Sequence, residues 1–83
     1  MLLKEIFAGI DLTLLKNEYR YYNLGGKAVY IENFVRINTF CKEEVILKLK
    51  KGMIKVSGAD LFLEELKEDC VLIKGTIKGV DVY

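Results

Sequence analysis

The sequence contains, at residues 45–63, the stretch VILKLKKGMIKVSGADLFL, in which apolar residues alternate with polar ones. Alternation with a period of two predicts β-strands, and Lys51-Gly52 predicts a tight hairpin turn between two of them. After Gly58 the apolar positions change from even to odd numbers, as shown by Ile54 and Val56, then Leu61 and Leu63. A change of parity beside a glycine predicts a β-bulge or a bend in the second strand.

The last part of the sequence repeats this pattern between Val71 and Val82. Its apolar residues keep one parity through Gly75 and take the other after Lys78-Gly79, which predicts a second long strand with a bend. Bends of this kind let one strand serve two packed layers. The sequence therefore predicts a mainly β fold, a meander of long, bent antiparallel strands that forms a small barrel or a two-layer sandwich.

Two further strands are expected upstream. The tyrosine-rich segment YRYYNL at residues 19–24 ends at Gly25-Gly26, a pair suited to a two-residue hairpin turn. The apolar and polar residues that follow predict one continuous strand over residues 27–41, up to a charged turn at residues 42–44.

The N-terminal segment has a different period. Its apolar residues recur at spacings of three and four, as on one face of a helix: Leu3, Ile6, Phe7, Ile10 and Leu14. We expect residues 1–18 to form an amphipathic arm or short helix in front of a single β domain over residues 19–83. The segment lacks both an apolar run long enough to span a membrane and the features of a signal peptide, so a cytoplasmic protein is expected.

The composition excludes most enzymatic chemistry. The 83 residues include no histidine, so the usual neutral-pH general base and the Ser-His and Cys-His pairs are missing. Two cysteines, Cys41 and Cys70, cannot supply a four-ligand metal site in one chain, and no glycine-rich loop has the phosphate-binding pattern. We expect no catalytic residue, no metal ion and no cofactor, and therefore no enzyme.

The chain is also short for its apolar content, since 52% of its residues are hydrophobic. Domains of about 60 residues bury only about 60% of the surface that the unfolded chain exposes. Two cysteines are too few for a disulfide framework, and we expect both to be reduced. Association between copies is the remaining way to stabilise such a chain, so a homo-oligomer is expected.

Tyrosines are concentrated around the first predicted hairpin, at Tyr19, Tyr21, Tyr22 and Tyr30. Beside Arg20 and Lys27, their rings could stack on the bases of a nucleic acid. The net charge of +1 argues against that partner, because phosphate neutralisation normally supplies most of the affinity. Tyrosine is also enriched at protein interfaces. We therefore expect these residues to contact protein, with a small β-barrel that binds nucleic acid or a small ligand as the alternative.

Three motifs follow one another along the sequence. An apolar-Glu-Asn segment ends in Glu32 and Asn33, a turn-Gly-apolar-x-apolar-x-Gly stretch spans residues 52–58, and an apolar-x-Gly-x-Ile motif spans residues 73–77. In their order and spacing they resemble the YabP/YqfC family of sporulation proteins, and are most similar to its YqfC-like branch. The resemblance covers roughly residues 22–83. The chain departs from the family pattern at Arg36, where a small residue is common, and in lacking an N-terminal proline.

The resemblance implies a part in endospore formation, in the mother cell and peripherally at the forespore membrane. It implies a structural or adaptor role in building the spore envelope, through self-association or a membrane-protein partner. It supplies no catalytic residue. Glu32 and Asn33 join the tyrosines as expected interaction residues. The glycines expected at turns or bulges are Gly25, Gly26, Gly52, Gly58, Gly75 and Gly79.

Overall fold

A computed structural model describes residues 18–83, which form six antiparallel strands. The strands are β1 (Arg20–Asn23), β2 (Ala28–Glu32), β3 (Arg36–Phe40), β4 (Glu44–Lys48), β5 (Met53–Leu66) and β6 (Cys70–Val82). They form one sheet in the order β1-β2-β6-β5-β4-β3. The mainly β prediction is confirmed, and the sheet is not closed into a barrel, because β1 and β3 form its two edges. The predicted N-terminal arm lies outside the described residues, apart from Glu18.

The predicted continuous strand over residues 27–41 is wrong, because the chain divides there into β2 and β3. Asn33 follows β2 with a φ of 62°, a left-handed conformation that interrupts an extended strand. β2 pairs with β6 and β3 pairs with β4, so the two pieces lie in separate parts of the sheet. Odd-numbered apolar residues occur on both sides of the break, so the alternation alone does not reveal it.

β1 and β2 form a hairpin whose turn is made by Gly25 and Gly26. Their φ angles are 66° and 71°, as a type I′ turn requires, and L-residues with side chains adopt these angles at a cost. The Leu24 carbonyl accepts a hydrogen bond from the Lys27 N–H at 3.2 Å, and the Asn23 side chain accepts one from the Gly26 N–H at 2.9 Å. The turn therefore sets the register of β1 on β2.

β5 and β6 are the two long strands, and both bend near the middle, as predicted. Their pairing shifts register at three places, beginning between Ser57 and Gly58. Burial changes parity there, from Ile54 and Val56 before the shift to Leu61 after it. A Cβ atom on Gly58 would overlap the carbonyl oxygen of Thr76 in β6, so this close approach of two backbones requires glycine.

The bends divide the sheet into two halves. The aromatic half consists of β1, β2, residues 70–74 of β6 and residues 62–66 of β5. The charged half consists of β3, β4, residues 53–57 of β5 and residues 79–82 of β6. The sheet is continuous through both halves, because β5 and β6 belong to each of them.

The inner faces of both halves contribute to one hydrophobic core. It comprises Val29, Ile31, Phe34, Val45, Leu47, Leu49, Ile54, Val56, Leu61, Val71 and Ile73. In a flat sheet β2 and β4 would lie about 14 Å apart, since two strands separate them. The buried residues of β2 and β4 nevertheless belong to one cluster with those of β5 and β6. Each fully buried Ile, Leu or Val side chain stabilises the fold by about 1.5–3 kcal/mol.

Candidate interaction surface

The outer face of the aromatic half carries a row of apolar side chains. Tyr22 of β1 lies opposite Tyr30 of β2, which in turn lies opposite Leu72 of β6. Residues opposite one another in antiparallel strands point to the same face, and these three alternate with core residues such as Ile31. The Tyr22 and Tyr30 rings stack with centroids 6.3 Å apart. We call Tyr22, Tyr30 and Leu72 the outer row.

Ion pairs border the outer row on both sides. The Arg20 guanidinium donates to Glu32 Oε2 from Nη2 at 2.8 Å and from Nε at 3.3 Å. On the other side Lys74 Nζ lies 3.9 Å from a carboxylate oxygen of Glu64. Phe62 lies opposite Lys74 on β5, and 47% of it is exposed. Apolar groups bordered by polar ones are typical of protein interfaces.

Neighbouring side chains raise the pKa values of two groups at the outer row. The hydrogen-bonding contact with the Cys70 thiol, followed by burial and nearby carboxylates, raises the pKa of Tyr30 to about 12. The hydrogen bond to Glu32 raises the pKa of Arg20 above its already high value. Near neutral pH Tyr30 is therefore protonated, and the cation beside the outer row is held by a carboxylate.

The other two tyrosines of the predicted interaction set, Tyr19 and Tyr21, lie on the opposite face of the sheet. Tyr21 is opposite Ile31 of the core, and Tyr19 packs against the core cluster. The two rings are nearly parallel, 3° apart in plane and 6.4 Å between centroids. The tyrosines that the sequence groups together thus form two stacked pairs on two faces, because successive strand residues point in opposite directions.

Asn33 and Glu32 are neighbours in sequence but have different surroundings. Glu32 lies on the outer face with Arg20, whereas Asn33 ties the end of β2 to other segments. Its backbone N–H donates to the Asp69 carbonyl at 2.7 Å, and its side-chain amide donates to the Glu18 carbonyl at 2.8 Å. These contacts hold Asn33 in its left-handed conformation at the point where β2 ends.

Leu72 and Phe62 belong to this surface although the motifs did not single them out. Leu72 stands between Val71 and Ile73, so this strand has apolar residues at both parities. That pattern signals a strand with one apolar face against the core and another facing outward. The outer neighbours of Leu72 depend on strand order, which the pattern does not contain.

The predicted glycines occupy three kinds of place. Gly25 and Gly26 form the β1–β2 turn, and Gly52 lies in the β4–β5 turn with a φ of 94°. Gly58 and Gly75 lie in the bend, where their backbones approach neighbouring carbonyls. Gly79 has open space where a Cβ atom would stand.

A surface pocket of about 320 Å³ lies beside the start of β1. It is lined by Glu18, Tyr19, Asn33, Lys50 and Lys51, which combine both signs of charge with an amide. Across residues 18–83, no three His, Cys, Asp or Glu side chains cluster as metal ligands would. That same part of the chain has no helix of the length and hydropathy needed to cross a membrane.

Comparison with known protein families gives a match over most of the chain. The sequence model of the YabP family matches residues 23–82, from the end of β1 to the end of β6. No curated protein sequence matches the chain. The match includes both bends and three of the four strands that carry the aromatic half, with only the last residue of β1.

Proposed function

Because the chain belongs to the YabP family, we propose that it is a sporulation protein with a structural or adaptor role in assembling the spore envelope. The family suggests a sporulation-related protein. The outer row supports the adaptor role, because it presents uncharged aromatic and aliphatic groups on a rigid sheet. An adaptor needs such a preformed surface more than it needs reactive groups, so we propose no catalysis.

We propose that the partner at this surface is protein, either another copy of the chain or a membrane protein. Tyrosine and leucine on a sheet bury large areas at low entropic cost, and ion pairs at the border help to orient the partner. Arg20, the basic residue nearest the tyrosines, is engaged by Glu32 at 2.8 Å, which disfavours its use on nucleic-acid phosphates. The mother cell, peripherally at the forespore membrane, is the proposed location.

A charge placed in the outer row tests this proposal. Leu72→Lys introduces an ammonium group into the outer row, next to Tyr30 and opposite Glu65, so we expect a fluorescently tagged variant to lose its localisation in sporulating cells. Heat-resistant spore counts should fall with it. The matched control is Ile46→Lys, since Ile46 is also a half-buried apolar residue on an outer face, but in the charged half.

Circular dichroism of both purified variants must first show that each keeps the β fold. If Leu72→Lys then localises and supports sporulation as well as Ile46→Lys does, the outer row is not the functional surface. If deletion of the whole chain leaves spore formation unchanged, the sporulation role itself is refuted.

A further inference from the structure

Among the strands of residues 18–83, β1 is at one end of the sheet, and its outer edge is a regular strand edge. Leu24 N–H donates to the Ala28 carbonyl at 2.8 Å, and bonded pairs alternate along an antiparallel ladder. In the β1–β2 register the other bonded pairs are therefore Tyr22 with Tyr30 and Arg20 with Glu32. The backbone N–H and C=O groups of the intervening residues, Tyr21 and Asn23, consequently point away from β2. They form an edge on which a further strand can pair.

The opposite edge of the sheet, β3, is built differently. Its pairing with β4 shifts between Ile37 and Thr39, so Asn38 is an extra residue in the ladder. A bulge disrupts the regular order of outward-pointing groups and is a common protection of edge strands. β1 has no such shift, no lysine and no proline. Of these two edges, β1 is the one suited to pairing with another strand.

We propose that a second copy of this chain pairs antiparallel with β1, about a two-fold axis at Tyr21. This inference rests on the self-association included in the proposed function and names the surface that carries it. Tyr21 then faces Tyr21 of the second copy, and each exchanges its outward N–H and C=O groups with the other. Tyr19 faces Asn23 of the second copy on either side of the axis.

The charges of β1 fit this symmetric register. Arg20 comes opposite Tyr22 of the second copy, on the outer face of both sheets, and Glu18 comes opposite Leu24 of the second copy. No like charges face each other among these pairs. A guanidinium beside a tyrosine ring is favourable, and Arg20 is already held on that face by Glu32 at 2.8 Å. Each outer row then continues across the axis into the ion pair of the other copy.

Pairing of strands this short buries less than the roughly 800 Å² per partner of a standard stable interface. We therefore expect weak association, detectable at high micromolar concentration. Sedimentation equilibrium of the full chain from micromolar to millimolar concentration measures it. The test variants are Tyr21→Lys and Tyr21→Glu, since 39% of Tyr21 is exposed and a two-fold axis sets each new charge against its own copy.

Each variant alone should raise the dissociation constant about tenfold or more, because like charges face each other and the tyrosine contact is lost. An equimolar mixture should recover association as a heterodimer, measured by native mass spectrometry. Phe40→Lys is the control at the β3 edge, since 49% of Phe40 is exposed, and it should leave association unchanged. In the unmodified chain, amide exchange at Tyr21 and Asn23 should slow as concentration rises.

The outcomes separate this inference from the proposed function. If the chain associates but neither Tyr21 variant weakens it, another surface is used and only the β1 register is refuted. If the chain is monomeric throughout the concentration range, self-association is refuted, and an adaptor acting on a membrane-protein partner survives. If both variants unfold, unchanged amide exchange at Tyr21 and Asn23 with concentration overturns the proposal.

Discussion

The two halves of the sheet share one core but present different outer faces. The aromatic half shows Tyr22, Tyr30 and Leu72 to solvent, with charged side chains around them, among them the two ion pairs and Glu65 opposite Leu72. The outer face of the charged half carries Arg36, Glu44, Lys48, Lys55 and Asp81. Both inner faces contribute fully buried residues to the core, as Ile31 and Ile54 illustrate with no exposed surface. Core packing thus constrains the inner residues of both halves alike, whereas the outer residues differ in charge between the halves.

β5 and β6 contribute to the outer faces of both halves, so the bend determines which of their residues point outward in each half. β5 places Lys55 outward before the bend and Phe62 outward after it. The register shifts between them exchange the parity that points inward, so one strand can be charged outside in one half and apolar outside in the other. A straight strand of this length would have kept one parity throughout.

The largest expected effect comes from filling the bend. Gly58→Ala places a Cβ against the Thr76 carbonyl and should lower the free energy of unfolding by about 3 kcal/mol or more. Gly79→Ala is the matched control, because open space surrounds the position of its Cβ, and it should change stability by less than about 0.5 kcal/mol. Urea unfolding followed by circular dichroism measures both. Equal losses in the two variants would show that the close approach at Gly58 does not hold the halves together.

A smaller effect distinguishes the ion pairs of the two halves. Arg20 and Glu32 are in contact at 2.8 Å with two donors, whereas Lys55 and Glu44 are 3.4 Å apart. The side chains of both pairs are about one-third exposed, which limits their contribution to the free energy of unfolding. Glu32→Gln should cost about 0.8 kcal/mol and Glu44→Gln about 0.3 kcal/mol, and both costs should shrink in high salt. A larger loss from Glu44→Gln would reverse the assigned difference between the halves.

A further expected effect is a dependence of stability on pH that arises from Tyr30 in the aromatic half. The pKa of Tyr30 is raised to about 12, so the folded chain keeps this proton after the unfolded chain loses it near pH 10. The folded state then binds more protons, and its stability falls as pH rises from about 10 to about 12. Below about pH 10 both states are protonated and the contribution is fully present. Unfolding curves of the unmodified chain and Tyr30→Phe should converge in this range, and parallel curves would exclude the raised pKa.

The bends were predictable from sequence because they change the local alternation of apolar residues. Parity changes beside Gly58 and again near Gly79, and a strand can change its inward parity only where the backbone is displaced. The β1–β2 turn is equally local, since Gly25 and Gly26 tolerate the positive φ that it requires. The break at Asn33 was not predictable in this way, because its left-handed conformation is held by hydrogen bonds to distant Glu18 and Asp69.

The candidate surface was only partly predictable for the same reason. Tyr22 and Tyr30 were singled out from the sequence, but their grouping with Tyr19 and Tyr21 on one surface was not what the fold produced. Leu72 and Phe62 join the outer surface because β6 lies beside β2 and β5 beside β6. That neighbourhood results from pairing between residues far apart in sequence.

The sequence by itself determined that the chain forms β-strands, where the tight turns lie and where the two long strands bend. These features depend on side-chain periodicity and on the backbone freedom of individual glycines, which are properties of a few consecutive residues. Only the tertiary structure decided that residues 27–41 divide between β2 and β3, that all six strands join one sheet, and that Tyr22, Tyr30 and Leu72 form one row. The physical reason is that strand order and register depend on hydrogen bonds and burial between distant segments, and many pairings satisfy the same local alternation.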